Sequence, residues 1–389
     1  MMHAMFEAGF GWLGARLAHR HWRWWLAGLC LLLAATFQFP KVNHTYAQLF
    51  AHTEALDEKL TRISEQIAAP FARHADRSTT HLAKMNFRLA VPLLGRALHL
   101  SLAQLLVLQM LVGVAVFYRA AGLLEASLRD RVAAALLTLG LSFVYFGYQY
   151  VYDLGGYFDG LGYAALLFAL GARRWGVIFG LCLWGGFVDE RVLAATPLLV
   201  FWYGARQHDW QVPGLLRFLG TRPATAVYAA WVAYAGLRLA IALLYHLDSP
   251  GGLVGISALS HSAWQELLVL GLVTGFSGYW LPVGLAVALL LFQRRHGVLL
   301  LLLGSFAPIF AGAFAVTDIT RSLAFGMPMA FICLDLLGRF TTLAERRYLA
   351  VVVLAVAFLI PPYYTIGYIQ YAGPVWMVAM RAFLLPYYQ

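Results

Sequence analysis

Ionisable residues gather at a few points of this otherwise apolar chain: Asp153, the run Asp189-Glu190-Arg191, and Asp318-Ile319-Thr320-Arg321. Each lies in a short turn between apolar stretches. Ionisable groups at helix ends in a lipid-facing fold are costly, so they mark function by default. Arg191 and Arg321 suit an anion, because a planar guanidinium grips phosphate through two parallel N–H bonds. Glu190 fits an orienting partner or an acid–base group, and Asp153 a base. Asp318 sits three residues before Arg321 and shares its helical face. The structural alternatives are local ion pairs, Asp189 with Arg191 and Asp318 with Arg321, and helix capping by Asp153. Asp159 ranks below Asp153. Several such groups on one face predict a single polar cavity opening to that side.

Further candidates surround these. Tyr152 closes the aromatic run Tyr148-Gln149-Tyr150-Val151-Tyr152, which fits either an interfacial belt or a flat surface for a sugar. Arg88 follows Lys84 by four residues, and two like charges on one face repel unless an anion sits there. That points Arg88 to a phosphate or lipid headgroup. His44, Glu54, Asp57 and Glu58 are candidates for a base or for metal ligands, although no tight ligand spacing is present and solvated charges of an amphipathic helix are the plainer account. His99, His246 and His261 can shuttle protons or serve structure alone. Arg238 and Asp335 fall inside apolar stretches, where they pair with other helices or snorkel.

The elements that must position these residues are transmembrane helices. The chain has 389 residues, 61% apolar and only 12% charged, with mean hydropathy +0.71; soluble domains carry about 25% charged residues. A bilayer core of about 30 Å needs about 20 apolar residues per crossing helix. Windows of that kind run over 21–39, 101–120, 132–150, 156–172, 174–187, 191–204, 223–245, 268–292, 297–316, 321–338 and 347–365. They predict an all-α polytopic membrane protein of about 11 helices forming one transmembrane domain over 1–389. Basic residues such as Arg119, Arg129, Arg131, Arg173, Arg206, Arg294 and Arg346 cluster in alternate turns, which puts the N-terminus in the cytoplasm and the acidic turns outside. The net charge of +10 then follows from topology, with anionic lipid as its partner and no role for nucleic acid.

One segment interrupts the pattern. Residues 40–100 form a large first external loop, in which Leu49, Leu56, Leu60 and Ile63 share one helical face and Pro70 ends the helix. The stretch Lys84–Leu100, with Arg88, Arg96 and His99, suits a helix lying in the membrane interface. The first apolar run reads as an uncleaved helix. Asn43-His44-Thr45 fits an N-glycosylation acceptor, a short and weak pattern. Cys30, Cys182 and Cys333 fall in apolar spans and read as small buried residues rather than as disulfides or metal ligands. No internal repeat is visible.

Four short motifs together resemble a known group: Phe87-Arg88-Leu89-Ala90-Val91-Pro92, Tyr152-Asp153-Leu154 before a short helix ending at Arg173-Arg174, Asp189-Glu190-Arg191, and Asp318-Ile319-Thr320-Arg321 opening a helix with Pro328. The pattern is similar to the GT-C superfamily of integral-membrane glycosyltransferases, bacterial enzymes that use polyprenyl-phosphate-linked sugars. The resemblance implies a GT-C-like fold with a large first periplasmic loop, located in the bacterial inner membrane with its active site facing the periplasm. It implies inverting transfer of a sugar from a polyprenyl-phosphate donor to a glycan or lipid acceptor. In that reading Asp153 or Asp57 is the base, and Glu190 and Asp318 orient the reacting groups. Arg191 and Arg321 bind phosphate, with Arg88, His44, Tyr152 and His261 as further substrate contacts. Carboxylates beside phosphate would also suit a divalent cation, Mg or Mn. The segment after the first helix, Phe39-Pro40-Lys41-Val42-Asn43-His44, departs from the pattern in lacking an acidic pair. The competing classes are a transporter or flippase for lipid-linked saccharide, which should show repeated halves, and a non-catalytic subunit of an envelope complex.

Overall fold

The computed structural model describes residues 2–38, 49, 58–72, 85–153, 156–247, 264–316, 318–360, 363–365 and 369–371. His44, Glu54, Asp57 and His261 lie outside the described residues. The chain is helical: α1 (Met2–Leu17), α2 (Trp22–Phe37), α3 (Glu58–Ala68), α4 (Ala90–Ala97), α5 (Leu102–Leu128), α6 (Arg131–Leu141), α7 (Tyr145–Tyr148), α8 (Asp159–Leu170), α9 (Trp175–Val188), α10 (Arg191–Gln207), α11 (Val212–Phe218), α12 (Arg222–Leu244), α13 (Trp264–Phe276), α14 (Trp280–Phe292), α15 (His296–Phe314), α16 (Ile319–Ala324), α17 (Pro328–Phe340) and α18 (Leu343–Leu359). Two short strands, β1 (Tyr363–Thr365) and β2 (Ile369–Tyr371), pair antiparallel with Tyr364 opposite Gln370.

Among the described residues, four helical stretches are long and apolar enough to cross a bilayer: Leu102–Leu128, Arg222–Leu244, Leu268–Phe292 and His296–Phe314. At about 1.5 Å per residue, the 27 residues of α5 reach about 40 Å, more than the hydrocarbon core requires. Helices or helix pairs fill the other apolar windows; α2, α8 and α18 are shorter than their windows, whereas α10 runs past its own to Gln207. The window 132–150 breaks after Leu141 and resumes as the single turn α7, with Val144 extended between them. Gly147 makes that break possible, because a Cβ there would lie 1.8 Å from the Leu141 carbonyl oxygen. The window 321–338 is likewise two helices, α16 and α17. The last window stops at Leu359, where Ile360 turns extended before Pro361-Pro362, which offer no N–H to prolong a helix.

Three helices form the centre. Every residue of α8 except Phe168 is buried, as is α17 from Pro328 to Gly338. Both pack on α5, and the approach of α17 depends on Gly338, whose missing Cβ would fall 2.4 Å from the Ser127 carbonyl. Around this centre, α2, α12, α14, α15 and α18 turn large apolar side chains outward, among them Leu32, Leu243, Leu244, Phe292, Leu300 and Leu359. Such a surface suits lipid and not water.

The helix ends divide by charge. At one end Asp130 caps α6, accepting from the amides of Val132 and Ala133, and pairs with Arg347 through two bonds of 3.0 and 3.1 Å. Glu125 holds Arg23 and Arg131 there, Arg346 donates to the Leu128 carbonyl and Arg119 to that of Gly171. Asp335, buried within α17, lies 3.7 Å from Arg206 of α10, the interhelical pairing expected of it, and 3.6 Å from Arg339 one turn along its own helix. Cys30, Cys182 and Cys333 are free and buried. The acidic turns lie at the opposite end.

The amphipathic helix in the first loop is α3, whose Leu60 and Ile63 are buried against Leu49, Val91 and Leu105. The aromatic run does not form an interfacial belt. Tyr148 and Tyr150 are wholly buried in the helix core, because the break after Leu141 turns them inward, while Tyr152 is partly buried against it.

Candidate functional site

The acidic end holds a buried network built from four separated pieces of chain. Asp159 opens α8, Asp189 and Glu190 form the turn between α9 and α10, and Arg191 opens α10. Asp318 precedes α16 and Arg321 lies within it. Arg88 comes from the turn before α4.

Asp189 is the hub. Its carboxylate is completely buried and meets three guanidiniums. Arg191 donates to it from Nε at 2.8 Å and Nη2 at 2.7 Å, and from its backbone amide at 2.9 Å. Arg88 Nη2 lies at 2.8 Å and Arg321 Nη2 at 3.2 Å. Burial alone would raise the carboxyl's pKa, but the positive charges of Arg191, Arg88 and Arg321 outweigh it and hold it well below the usual carboxylate range.

Arg321 is almost wholly buried. It grips Asp159 through Nε and through Nη2 at 2.9 Å, and donates from Nη1 to Asp318 at 2.9 Å. Arg191 reaches Ser322 Oγ at 2.7 Å and Asp318 at 3.5 Å. The ring of Tyr157 is packed between two of these cations, with the guanidinium carbon of Arg321 3.7 Å and that of Arg88 5.4 Å from its centroid. Both local ion pairs named from the sequence are present, and each is one edge of a wider network.

Arg88 is the least satisfied member. Its side chain is nine-tenths buried; beyond Asp189 its one ion-pair partner among the described residues is Glu190, 3.6 Å from Nε. Nη1 has no hydrogen-bond partner among the described residues, and neither does Oδ1 of Asp318. Beside it, Arg238 of α12 lies over the ring of Phe87 at 4.3 Å and donates to Tyr234 at 2.9 Å. An arginine within a crossing helix thus reaches the first-loop segment that carries Arg88.

Asp153 stands just beneath the network. Oδ1 accepts from the Tyr157 amide at 2.9 Å; Oδ2 accepts from the Phe158 amide at 2.7 Å and from Gln109 at 3.2 Å. These bonds fold the turn that delivers Asp159 to Arg321. Burial, with the neighbouring charge of Asp159, pushes its carboxyl up to about 7.

The structure therefore brings together Glu190, Arg191, Arg321, Asp318 and Arg88, with Asp153 adjoining and Tyr152 nearby in the chain. His99, with positive φ, follows α4, and His246 follows α12, apart from the ion pairs. Sequence reasoning underweighted Asp159 and missed Tyr157, Gln109 and Ser322. Only Asp159 carried a signal, as an acid at the first position of a helix. Among the described residues no three His, Cys, Asp or Glu side chains are grouped to hold a metal ion. Comparison with protein-family models, with curated proteins and with solved structures finds no match.

Proposed function

We propose that this chain is an integral-membrane glycosyltransferase that moves a sugar from a polyprenyl-phosphate donor to a glycan or lipid acceptor. The observation that carries the reading is Arg88, a buried guanidinium with an unbonded Nη1 beside a carboxylate that is one-third exposed. A buried donor without an acceptor is costly, and a phosphate oxygen is the acceptor a guanidinium fits best. Arg238, projecting from a membrane-crossing helix toward the same segment, supplies a second cation on the side from which a lipid would arrive.

Arg191 and Arg321 support this chemistry indirectly. Their N–H groups are taken by Asp159, Asp189, Asp318 and Ser322, so they hold the turns in place while Arg88 meets the phosphate. Glu190 is the base in this reading. It removes the proton of the acceptor hydroxyl, the acceptor oxygen bonds to the anomeric carbon with inversion, and the bond from that carbon to the phosphate oxygen breaks. The polyprenyl phosphate leaves as an anion neutralised by Arg88. The eleven apolar windows, read as eleven crossings, put this end of the bundle outside a bacterial inner membrane by the positive-inside rule.

The second reading is a lipid-saccharide transporter or a non-catalytic subunit. The saturation of Arg191 and Arg321 by carboxylates favours it, since a static joint needs no free base. Radiolabelled polyprenyl-phosphate sugars presented to purified protein in detergent separate the two. Glycosyl transfer by the wild type, lost in Glu190→Gln with donor binding kept and lost with binding in Arg88→Gln, supports the enzyme with Glu190 as base. Loss in Asp153→Asn alone would move the base to Asp153. Donor binding without turnover favours the second reading, and no binding of any donor overturns the glycosyltransferase reading.

A further inference from the structure

A cleft opens on the arginine-rich half of the bundle, away from the carboxylate network, where α11 and α12 meet α10 and α15. Val200 and Phe201 of α10, Leu216 at α11, Val227 of α12 and Leu301 of α15 line it, and it encloses about 130 Å³, open on one side.

Its construction follows from one proline. Pro197 has no N–H, so the Leu193 carbonyl loses its helical partner. Thr196 Oγ1 donates to that carbonyl at 2.7 Å and accepts from Trp231 Nε1 at 2.8 Å, which ties α12 to α10 above the cleft. Below, α11 buries Leu215 and Phe218 and leaves Leu216 and the following Leu219 exposed. The open side carries Tyr228 and Trp231, also exposed. An apolar cleft does not retain ordered water. On an outward-facing helix its natural content is a hydrocarbon chain.

The rim supplies the headgroup preference. Arg217 ends α11 and Arg222 begins α12. Both are exposed, and neither forms an ion pair among the described residues, whereas Arg206 and Arg339 at the same end are engaged by Asp335 and Asp209. We propose that this cleft binds one acyl chain of an anionic phospholipid, with Arg217 and Arg222 holding the headgroup. The site is independent of any glycosyl transfer at the other end.

The test uses full-length protein in phosphatidylcholine vesicles. A small fraction of the lipid is phosphatidylglycerol with a photoreactive acyl tail, or phosphatidylcholine with the same tail. The labelled residues are mapped by mass spectrometry. Phosphatidylglycerol should label the walls around Val200, Phe201 and Leu301 about tenfold more than phosphatidylcholine, since two basic residues act on one headgroup. Arg217→Gln with Arg222→Gln should bring wall labelling down to the phosphatidylcholine level. Ser305→Trp, which fills the cleft from α15, should abolish it while labelling at the exposed Phe292 stays constant. Equal labelling by the two lipids, wall labelling no greater than at Phe292, or labelling that survives Ser305→Trp would each overturn the proposal. If Ser305→Trp alters the Phe292 control, the solvent-facing double arginine variant decides alone.

Discussion

Replacing Asp189 tests the ion network most directly, and its cost can be worked from the contacts. The carboxylate accepts from Arg191 Nε, Nη2 and backbone N, from Arg88 Nη2 and from Arg321 Nη2. Three cations share it, but the loss is not three times that of one pair. Arg321 keeps Asp159 and Asp318, and Arg191 keeps Asp318 and Ser322. Arg88 is left with the Glu190 carboxylate at 3.6 Å alone. One stranded buried guanidinium costs about 3–5 kcal/mol. Asp189→Asn, which retains one acceptor oxygen, should fall near the lower figure and Asp189→Ala near the upper. Adding Arg88→Gln to Asp189→Asn removes the stranded charge, so the pair should couple favourably by about 1–3 kcal/mol. Unfolding in mixed micelles with increasing SDS, followed by tryptophan fluorescence, gives each value. A cost below about 1 kcal/mol, or strict additivity with Arg88→Gln, would refute Asp189 as the hub.

Other expectations follow from the same geometry. Asp153, pushed up to about 7 by burial and by Asp159, holds its proton more tightly folded than unfolded, so its contribution is complete below about pH 4 and is lost as pH rises to 7. The loss reaches at most about 4 kcal/mol. Asp153→Asn should therefore show a deficit against wild type that shrinks between pH 5 and pH 8 in the same assay; a deficit constant with pH would contradict the shift. Asp189 has the opposite sign: its depressed carboxyl stabilises at neutral pH, and that stability drains away as pH falls below about 4, a slope that Asp189→Asn should flatten. At the other end, Asp130→Ala loses both a helix cap and the Arg347 pair, about 2–3 kcal/mol together. Asp130→Ser keeps the cap and should recover about half of that on thermal melting.

Much of the architecture was legible because it rests on residues adjacent in sequence. Apolar windows located the helices, and the spacing of Leu60 and Ile63 marked the buried face of α3. The spacing of Asp318 and Arg321 foretold their contact. Where helices broke, the cause was a contact the windows do not encode. Gly147 folds against Leu141, and Gly326 sits beside the Leu323 carbonyl where the chain turns from α16 to α17.

The sequence by itself determined that this chain is a helical membrane protein, with acids in the turns at one end and arginines at the other. Bilayer thickness and helix pitch convert a run of residues directly into a crossing element. Only the tertiary structure decided which charges meet across separate helices. Arg321 and Asp159 are 162 positions apart, and Arg191 and Asp318 are 127 apart. No local pattern joins residues at such separations, because their meeting depends on how whole helices pack. That packing saturated Arg191 and Arg321 with carboxylates and left the spare N–H group on Arg88.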